Sequence, residues 1–403
     1  MHVSIIGGGP AGMAAARALS QQGFTVKVFE RQSGFGGVWN YTATGPMYKT
    51  LHTNLPKMLM EYKDYPFPKG EEFPDRVVVQ KYVENYCTTV PAKVLFGVGI
   101  LNVSKIGNQW VLADTENCEH YSDFLLVATG HYDEPYYPPI NGLEECVEQR
   151  VTHSRYYDSP ARFKDKKVLL IGNASSAVDI AVQLLEVRAN VSISRRHPSS
   201  MDNIFTNYAT LRPELAQIGQ DNVTFIDGST GTPDVLLFCT GYLYNFPFLD
   251  KYSETLDIPL LHPKKLRICN LHQNMFYIGD PTLAFTAMDK MIVPMPYSEC
   301  QAAAIARVWS GYLKLPELSE MLEIEKTKVS EKGDSLEYHN MPSPEDVNYM
   351  RSLCDWVEAS GSPGFTAEYW NNEKYERRLN VKREKMQQIK DSLEKLKQGG
   401  HVD

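Results

Sequence analysis

Short apolar runs and alanine-rich or amphipathic stretches follow one another in a repeated order along this chain. Val3 to Ile6 is an apolar strand, Met13 to Leu19 an Ala-rich stretch that predicts a helix, and Thr25 to Phe29 a second strand. Gly23, just past Gln21-Gln22, supplies the C-cap of that helix. The order returns at Val168 to Ile171, Val178 to Leu185 and Val191 to Ser194. Between the two units, Val78 to Cys87 predicts a helix, and Ala92 to Leu126 alternates as hairpin strands with a turn at Gly107-Asn108. Two more apolar strands, Phe124 to Val127 and Val235 to Phe238, each run into Thr-Gly, at Thr129-Gly130 and Thr240-Gly241.

Repeated strand-helix-strand units predict an α/β fold of two nested Rossmann-like dinucleotide-binding domains. The first covers 1–154 and 246–403, and the second is inserted at 155–245. The last strand of the first domain is expected at Met275 to Ile278, ending at Gly279-Asp280, where Asp280 either reaches a ribityl chain or merely makes a turn. Pro296 to Leu313 predicts a helix, Lys326 to Pro344 a polar loop, and Asn372 to Gln398 a charged C-terminal helix. Met386, Ile389, Leu393 and Leu396 in that helix span too few heptads for a coiled coil, so they are expected to dock on the body.

The turns after the two first strands carry the chemistry. In Gly7-Gly8-Gly9-Pro10-Ala11-Gly12, Gly7 makes the turn, Gly9 lets a pyrophosphate approach the backbone and Gly12 lets the helix lie on the strand. The second fingerprint, Gly172-Asn173-Ala174-Ser175-Ser176-Ala177, has alanine at two of those places. Eighteen positions beyond each motif stands the residue that meets the adenosine ribose, and it is Glu30 in one case and Arg195, followed by Arg196, in the other. Glu30 accepts from ribose hydroxyls and repels a 2′-phosphate: a like-charge pair about 4 Å apart costs roughly 4 kcal/mol at an effective dielectric of 20. That site takes FAD or NAD. Arg195, Arg196 and the preceding Ser194 suit a 2′-phosphate, so the inserted domain takes NADPH and the surrounding one FAD.

Composition narrows the classes. The formal charge of -8 argues against nucleic acid as a partner. No apolar stretch is long enough for a transmembrane segment and the chain opens directly in a strand, so a cytoplasmic location is expected. Seven scattered cysteines without a CxxC pair disfavour disulfide, zinc and iron-sulfur frameworks, and with them a thioredoxin-reductase-like enzyme. His52, His131 and His153 lack metal-ligand spacing and read as structural residues hydrogen-bonded near a cofactor. Tyr62, Tyr65, Phe67, Tyr242, Tyr244 and Phe246 line a substrate entry or belong to the core.

Three more strings complete the pattern: Gly36-Gly37-Val38-Trp39-Asn40-Tyr41, Thr53-Asn54-Leu55-Pro56-Lys57, and Ala128-Thr129-Gly130-His131-Tyr132 followed much later by Cys239-Thr240-Gly241-Tyr242. With both fingerprints in this order, residues 2 to about 310 resemble the flavin-containing monooxygenases that use FAD and NADPH. The family string FxGxxxHxxxY falls at Val147 to Tyr157, where His153 and Tyr157 match and Val147 and Gln149 depart. The resemblance implies that NADPH reduces the flavin, that O2 then forms a C4a-hydroperoxyflavin, and that one oxygen passes to a soft nitrogen or sulfur of a small lipophilic amine or sulfide. It implies that Gly37, Val38, Trp39, Thr53, Thr129 and Thr240 border the cofactors and that Asn54 is catalytic, its amide beside the reactive flavin face, although an Asn before Leu-Pro also makes turns. Baeyer-Villiger oxygenation of ketones is an alternative, against which Tyr157-Asp158 stands where those enzymes resemble HxxxWP. An uncoupled NADPH oxidase releasing H2O2 and a non-catalytic redox sensor are the others. Whether two copies pair as a homodimer is left open.

Overall fold

The computed structural model describes residues 1–146, 150–199 and 202–397. Val147, Gln149 and the expected helix end Gln398 lie outside the described residues. The chain forms two compact units: Met1–Asn40 with Leu55–Asp133 and Leu243–Leu379, and Tyr41–Asn54 with Glu134–Tyr242 and the stretch from Asn380 onward.

In the first unit, strand His2–Ile6 pairs in parallel with Thr25–Glu30 on one side and Phe124–Val127 on the other. The winding reverses at that strand, which makes its carboxyl end a topological switch point. The described sheet has seven strands, ending at Lys93–Phe96 beyond Thr25–Glu30 and at Leu283–Phe285, Phe276–Tyr277 and Leu271–His272 beyond Phe124–Val127. One face is covered by helix Pro10–Gln21, with Ala14, Ala15, Ala16 and Ala18 buried, and it packs on helix Pro294–Trp309, which buries Ala302, Ala303, Ala304 and Ala306. Small side chains permit that close approach. The other face meets an antiparallel sheet of Ile100–Ile106, Gln109–Asp114 and Glu119–Ser122, and Ile6, Phe29, Val103, Trp110, Leu112, Val127 and Phe285 form the core between them.

The second unit repeats the plan. Lys167–Ile171 lies between Asn190–Ser194 and Val235–Phe238, all parallel, with Thr210–Arg212 and Val151–His153 at the edges. Helix Ser175–Glu186 covers one face, and a small sheet of Leu215–Ile218, Val223–Phe225 and Thr230–Gly231 covers the other. The unit starts at Glu134 instead of 155 because Val151–His153 is its edge strand. Two remote segments join it. Tyr48 enters its core, and so do Ile389 and Leu393 of helix Asn372–Lys397, with Met386 and Leu396 packed against them.

Three expectations change. The hairpin region gives up Lys93–Phe96, which pairs in parallel with Thr25–Glu30. Lys326 to Pro344 begins inside helix Leu318–Lys332, held because buried Glu325 meets Arg267 at 3.1 Å and the Tyr338 hydroxyl at 2.6 Å. The strand that joins Phe124–Val127 in parallel is Leu283–Phe285; Phe276–Tyr277 runs antiparallel to it, with Asp280 in the turn between.

Candidate functional site

In both sheets the fingerprint turn opens at the carboxyl end of the central parallel strand. In the first unit the Gly7 N–H donates to Phe29 O at 2.8 Å and the Ala128 N–H to Ile6 O at 2.8 Å, which ties the turn to both neighbouring strands. A Cβ on Gly12 would stand 2.0 Å from Gly7 O, so only glycine lets the helix start beneath the turn. The helix is capped by Gly9, which offers no side chain to its first amides, and its first turn holds no acid. Those N–H groups are open to an anion. Glu30 is 5% exposed, and its carboxylate accepts from Gly8 N–H at 2.7 Å and Gln32 N–H at 2.7 Å. A carboxylate has about four acceptor positions, so roughly two remain for a ribose. The turn Gly37–Trp39 lies on this cradle with Val38 and Trp39 half-buried, and Thr129 is exposed beside Gly7.

His131 ends up differently from expectation. It follows Thr129-Gly130 at the same sheet edge, is 6% exposed, and neither ring nitrogen has a hydrogen-bond partner within the protein. Burial, reinforced by Lys290 and His339, pushes it down to about 3, so the ring is neutral at physiological pH. A neutral buried imidazole with an unmatched donor and acceptor is what a bound group at this edge would satisfy. Asp280 does not belong here. It precedes Leu283–Phe285, at the amino edge of the parallel strands, and is taken by Lys105 and by the Thr282 hydroxyl at 2.6 Å. The sheet separates it from Gly7 and Glu30, because the parallel strand begins after Asp280 instead of ending at it.

The second turn has the same wiring, with Gly172 N–H to Ser194 O at 2.9 Å and Cys239 N–H to Ile171 O at 2.8 Å. Ala174, Ser175 and Ser176 are exposed at the start of Ser175–Glu186, which also has no side-chain cap and no acid in its first turn. Ser194 is 2% exposed and its hydroxyl is committed to Pro213 O at 2.9 Å, and the Thr240 hydroxyl goes to Tyr136 O. Both hydroxyls thus spend their donor on a backbone carbonyl and keep their acceptor lone pairs. Arg195 donates through Nε to Asp202 Oδ2 at 2.6 Å and through Nη1 to Arg212 O at 3.1 Å, while Arg196 is exposed beside it. Asp202 had no signal in the sequence, since nothing in the spacing marks a carboxylate seven positions on.

Asn54 is exposed at the end of Tyr41–Asn54, the segment that belongs to the second unit. Tyr48 bonds Asp179 there, Thr50 donates to Gln183 Oε1 at 2.6 Å, and the carbonyl of buried Thr53 accepts from Lys385 at 3.2 Å. Burial pushes the Tyr48 hydroxyl well up and raises Asp179, so the pair shares a hydrogen bond out of water. Glu30 and Asn54 thus stand in different compact units. His52 Nδ1 lies 3.3 Å from Thr50 O, and fully buried His153 accepts from the Arg155 N–H at 3.1 Å. Of the aromatics, Tyr62, Phe67, Tyr244 and Phe246 are core residues, with Tyr62 stacked on Tyr86 at 3.6 Å.

Two family models match the chain: pyridine nucleotide-disulphide oxidoreductase over residues 4–224, and flavin-binding monooxygenase-like over residues 198–363. Flavin-containing monooxygenase FMO GS-OX-like 2 of Arabidopsis thaliana is 31% identical over 403 residues, an alignment that covers 89% of this chain and 85% of that protein. The chain belongs to the flavin-containing monooxygenase family. This flavin-containing monooxygenase is also 30% identical to the thiol-specific monooxygenase of Saccharomyces cerevisiae, over 89% of this chain and 85% of that one. Among solved structures it superposes on the S-allyl-L-cysteine S-oxygenase from Allium sativum with a TM-score of 0.83 and 28% identity, covering 97% of this chain and 94% of the other.

The family's cofactors are FAD and NADPH. The residues of this monooxygenase fit them: in one unit a glycine cradle with an acid beside it, in the other a second turn with arginines beside it, and in each an uncapped helix start. Cys300 Sγ lies 3.8 Å from Cys354 Sγ, a pairing hidden by 54 positions of sequence, but Cys300 is buried, and Cys354 and burial push its thiol well above the usual range. Among the described residues no helix is long and apolar enough to cross a membrane, and no His, Cys, Asp and Glu group could hold a metal ion.

Proposed function

We propose that this monooxygenase transfers one atom of O2 to a soft nucleophile of a small lipophilic substrate, with thioether or thiol sulfur ahead of amine nitrogen. The balance is substrate, O2, NADPH and a proton giving oxygenated substrate, water and NADP+. The observation that carries it is the opposite charge at equivalent strand ends, Glu30 in one unit and Arg195 in the other, in a family of oxygenases. Sulfur is placed first because relatives at 30% and 28% identity are described as a thiol-specific monooxygenase and an S-oxygenase.

When bound, FAD reduced by NADPH supplies the activation of O2. Gly7, Gly9 and Gly12 would bring the first helix amides to its pyrophosphate, Glu30 would take the ribose, and Gly37, Val38 and Trp39, which lie against Gly9, would border that end. Gly172, Ala174, Ser175 and Ser176 do the same for NADPH, with Arg195 and Arg196 on the 2′-phosphate. Asn54 would offer its amide N–H groups to the activated oxygen, and the carbonyl of Thr53, held by Lys385, sets its backbone. Keeping water out protects the activated oxygen from release as H2O2.

Product identification over a panel of a thioether, a thiol, a tertiary amine and a ketone, with H2O2 measured alongside, tests this. Sulfoxide formation with near-stoichiometric NADPH use supports it. A lactone or ester from the ketone in place of sulfoxide, or H2O2 as the sole oxygen product, would end it.

A further inference from the structure

The guanidinium of Arg195 is not a loose side chain waiting for an anion. Its Nε–H is fixed on Asp202 Oδ2 at 2.6 Å and one Nη1–H on Arg212 O at 3.1 Å, and the group is only about one-fifth exposed. Arg212 ends strand Thr210–Arg212, which pairs in parallel with Asn190–Ser194, so its carbonyl is part of the sheet edge. Asp202 is held as firmly. It opens the short helix Asp202–Phe205, whose Ile204 and Phe205 sit in the core with Val191 and Ile193, and it accepts from Ser199 N–H at 3.0 Å and Ser199 Oγ at 3.2 Å. Of the five N–H donors of a guanidinium, the remaining three stay available.

We propose that Asp202 is a positioning residue for nicotinamide cofactor selectivity: it locks Arg195 in the orientation that receives a 2′-phosphate. An unheld arginine would have to freeze several rotatable bonds when the phosphate arrives, whereas this one has lost them already. The carboxylate also repels an incoming phosphate. Pairing at 2.6 Å cancels most of that field, and exposed Arg196 adds positive charge at the same edge, so the ordering effect outweighs the repulsion. The inference rests on reading Arg195 as the partner of the 2′-phosphate.

Calorimetric titration of the FAD-loaded protein with NADP+ and with NAD+ separates the two ideas. Asp202→Ala weakens NADP+ binding roughly tenfold, the scale of one lost charge-assisted hydrogen bond, and leaves NAD+ within about twofold. Asp202→Asn, which keeps an acceptor oxygen for Nε and stands in if the alanine variant does not fold, loses less than Asp202→Ala but in the same direction. Unchanged or tighter NADP+ binding in both variants overturns the proposal, and so does an equal loss for both nucleotides, which would mark Asp202 as merely structural. Arg195→Ala is titrated in parallel. If it leaves the preference for NADP+ intact, the reading of Arg195 is what fails; if it abolishes the preference while Asp202→Ala leaves NADP+ affinity unchanged, only the role of Asp202 falls.

Discussion

Gly37 and Gly9 meet backbone to backbone: a Cβ on Gly37 would stand 2.8 Å from the Cα of Gly9, and a Cβ on Gly9 would stand 3.3 Å from the Cα of Gly37. Gly37 also holds a φ of 55°, in the left-handed region. Gly37→Ala therefore meets strain and a clash at once, of order 1–3 kcal/mol, or about five- to 150-fold in affinity. The expected result is an apoprotein that folds but binds FAD that much more weakly, read from flavin fluorescence quenching on titration. Unaltered FAD affinity would remove this turn from the cofactor site.

Glu30 takes two backbone N–H groups with its two oxygens, Gly8 on Oε2 and Gln32 on Oε1. Glu30→Gln replaces one acceptor by a donor, so one of those amides faces an N–H instead. FAD affinity is expected to fall by roughly tenfold, the value of one hydrogen bond to a charged group. The same titration checks it, and a variant that retains wild-type affinity would show that this carboxylate does not meet the ribose.

Asn54→Ala removes an exposed amide and no core contact. The variant should keep its FAD and its thermal midpoint while releasing several times more H2O2 per NADPH consumed, measured with a peroxidase-coupled assay. Full coupling in the variant would take Asn54 out of the chemistry.

Glu299 is 1% exposed, and burial raises it to about 7 despite Arg17 at 3.7 Å and the Lys63 N–H at 2.9 Å. The folded state thus prefers the protonated acid more than the unfolded chain does. Its contribution to stability is complete below the unfolded pKa of about 4.3 and is lost as pH rises through about 7. Glu299→Gln keeps an acceptor for Lys63 N–H without the titrating proton. Urea midpoints for the wild type should fall between pH 4.5 and 7 relative to those of the variant, and two parallel curves would contradict the assignment.

The parts legible in the sequence were local ones. Each fingerprint places a turn, a helix start and a strand-end residue within about thirty positions, the reach of one strand-helix-strand unit. Glu30 and Arg195 could therefore be located by counting, and the strands around them follow the apolar runs. The antiparallel hairpins also came through, because Ile106 pairs with Gln109 across the two-residue turn at Gly107-Asn108.

Other features depend on residues far apart in sequence meeting in a core. Tyr48 joins Asp179 across 131 positions, which assigns Tyr41–Asn54 to the second unit, and Ile389 and Leu393 bury themselves in the same core from the far end of the chain. Asp280 shows the limit most clearly. A Gly-Asp after an apolar run looks like the end of a parallel strand, yet the sheet accepts Leu283–Phe285 as that strand, and the acid falls on the opposite edge. By itself, then, the sequence determined two fingerprint turns and the sign of the charge beside each, because backbone turns and strand ends are set over short spans. Tertiary structure alone decided which edge each side chain occupies and that Asp202 holds Arg195, because strand order and partly buried ion pairs are chosen by whole-core packing.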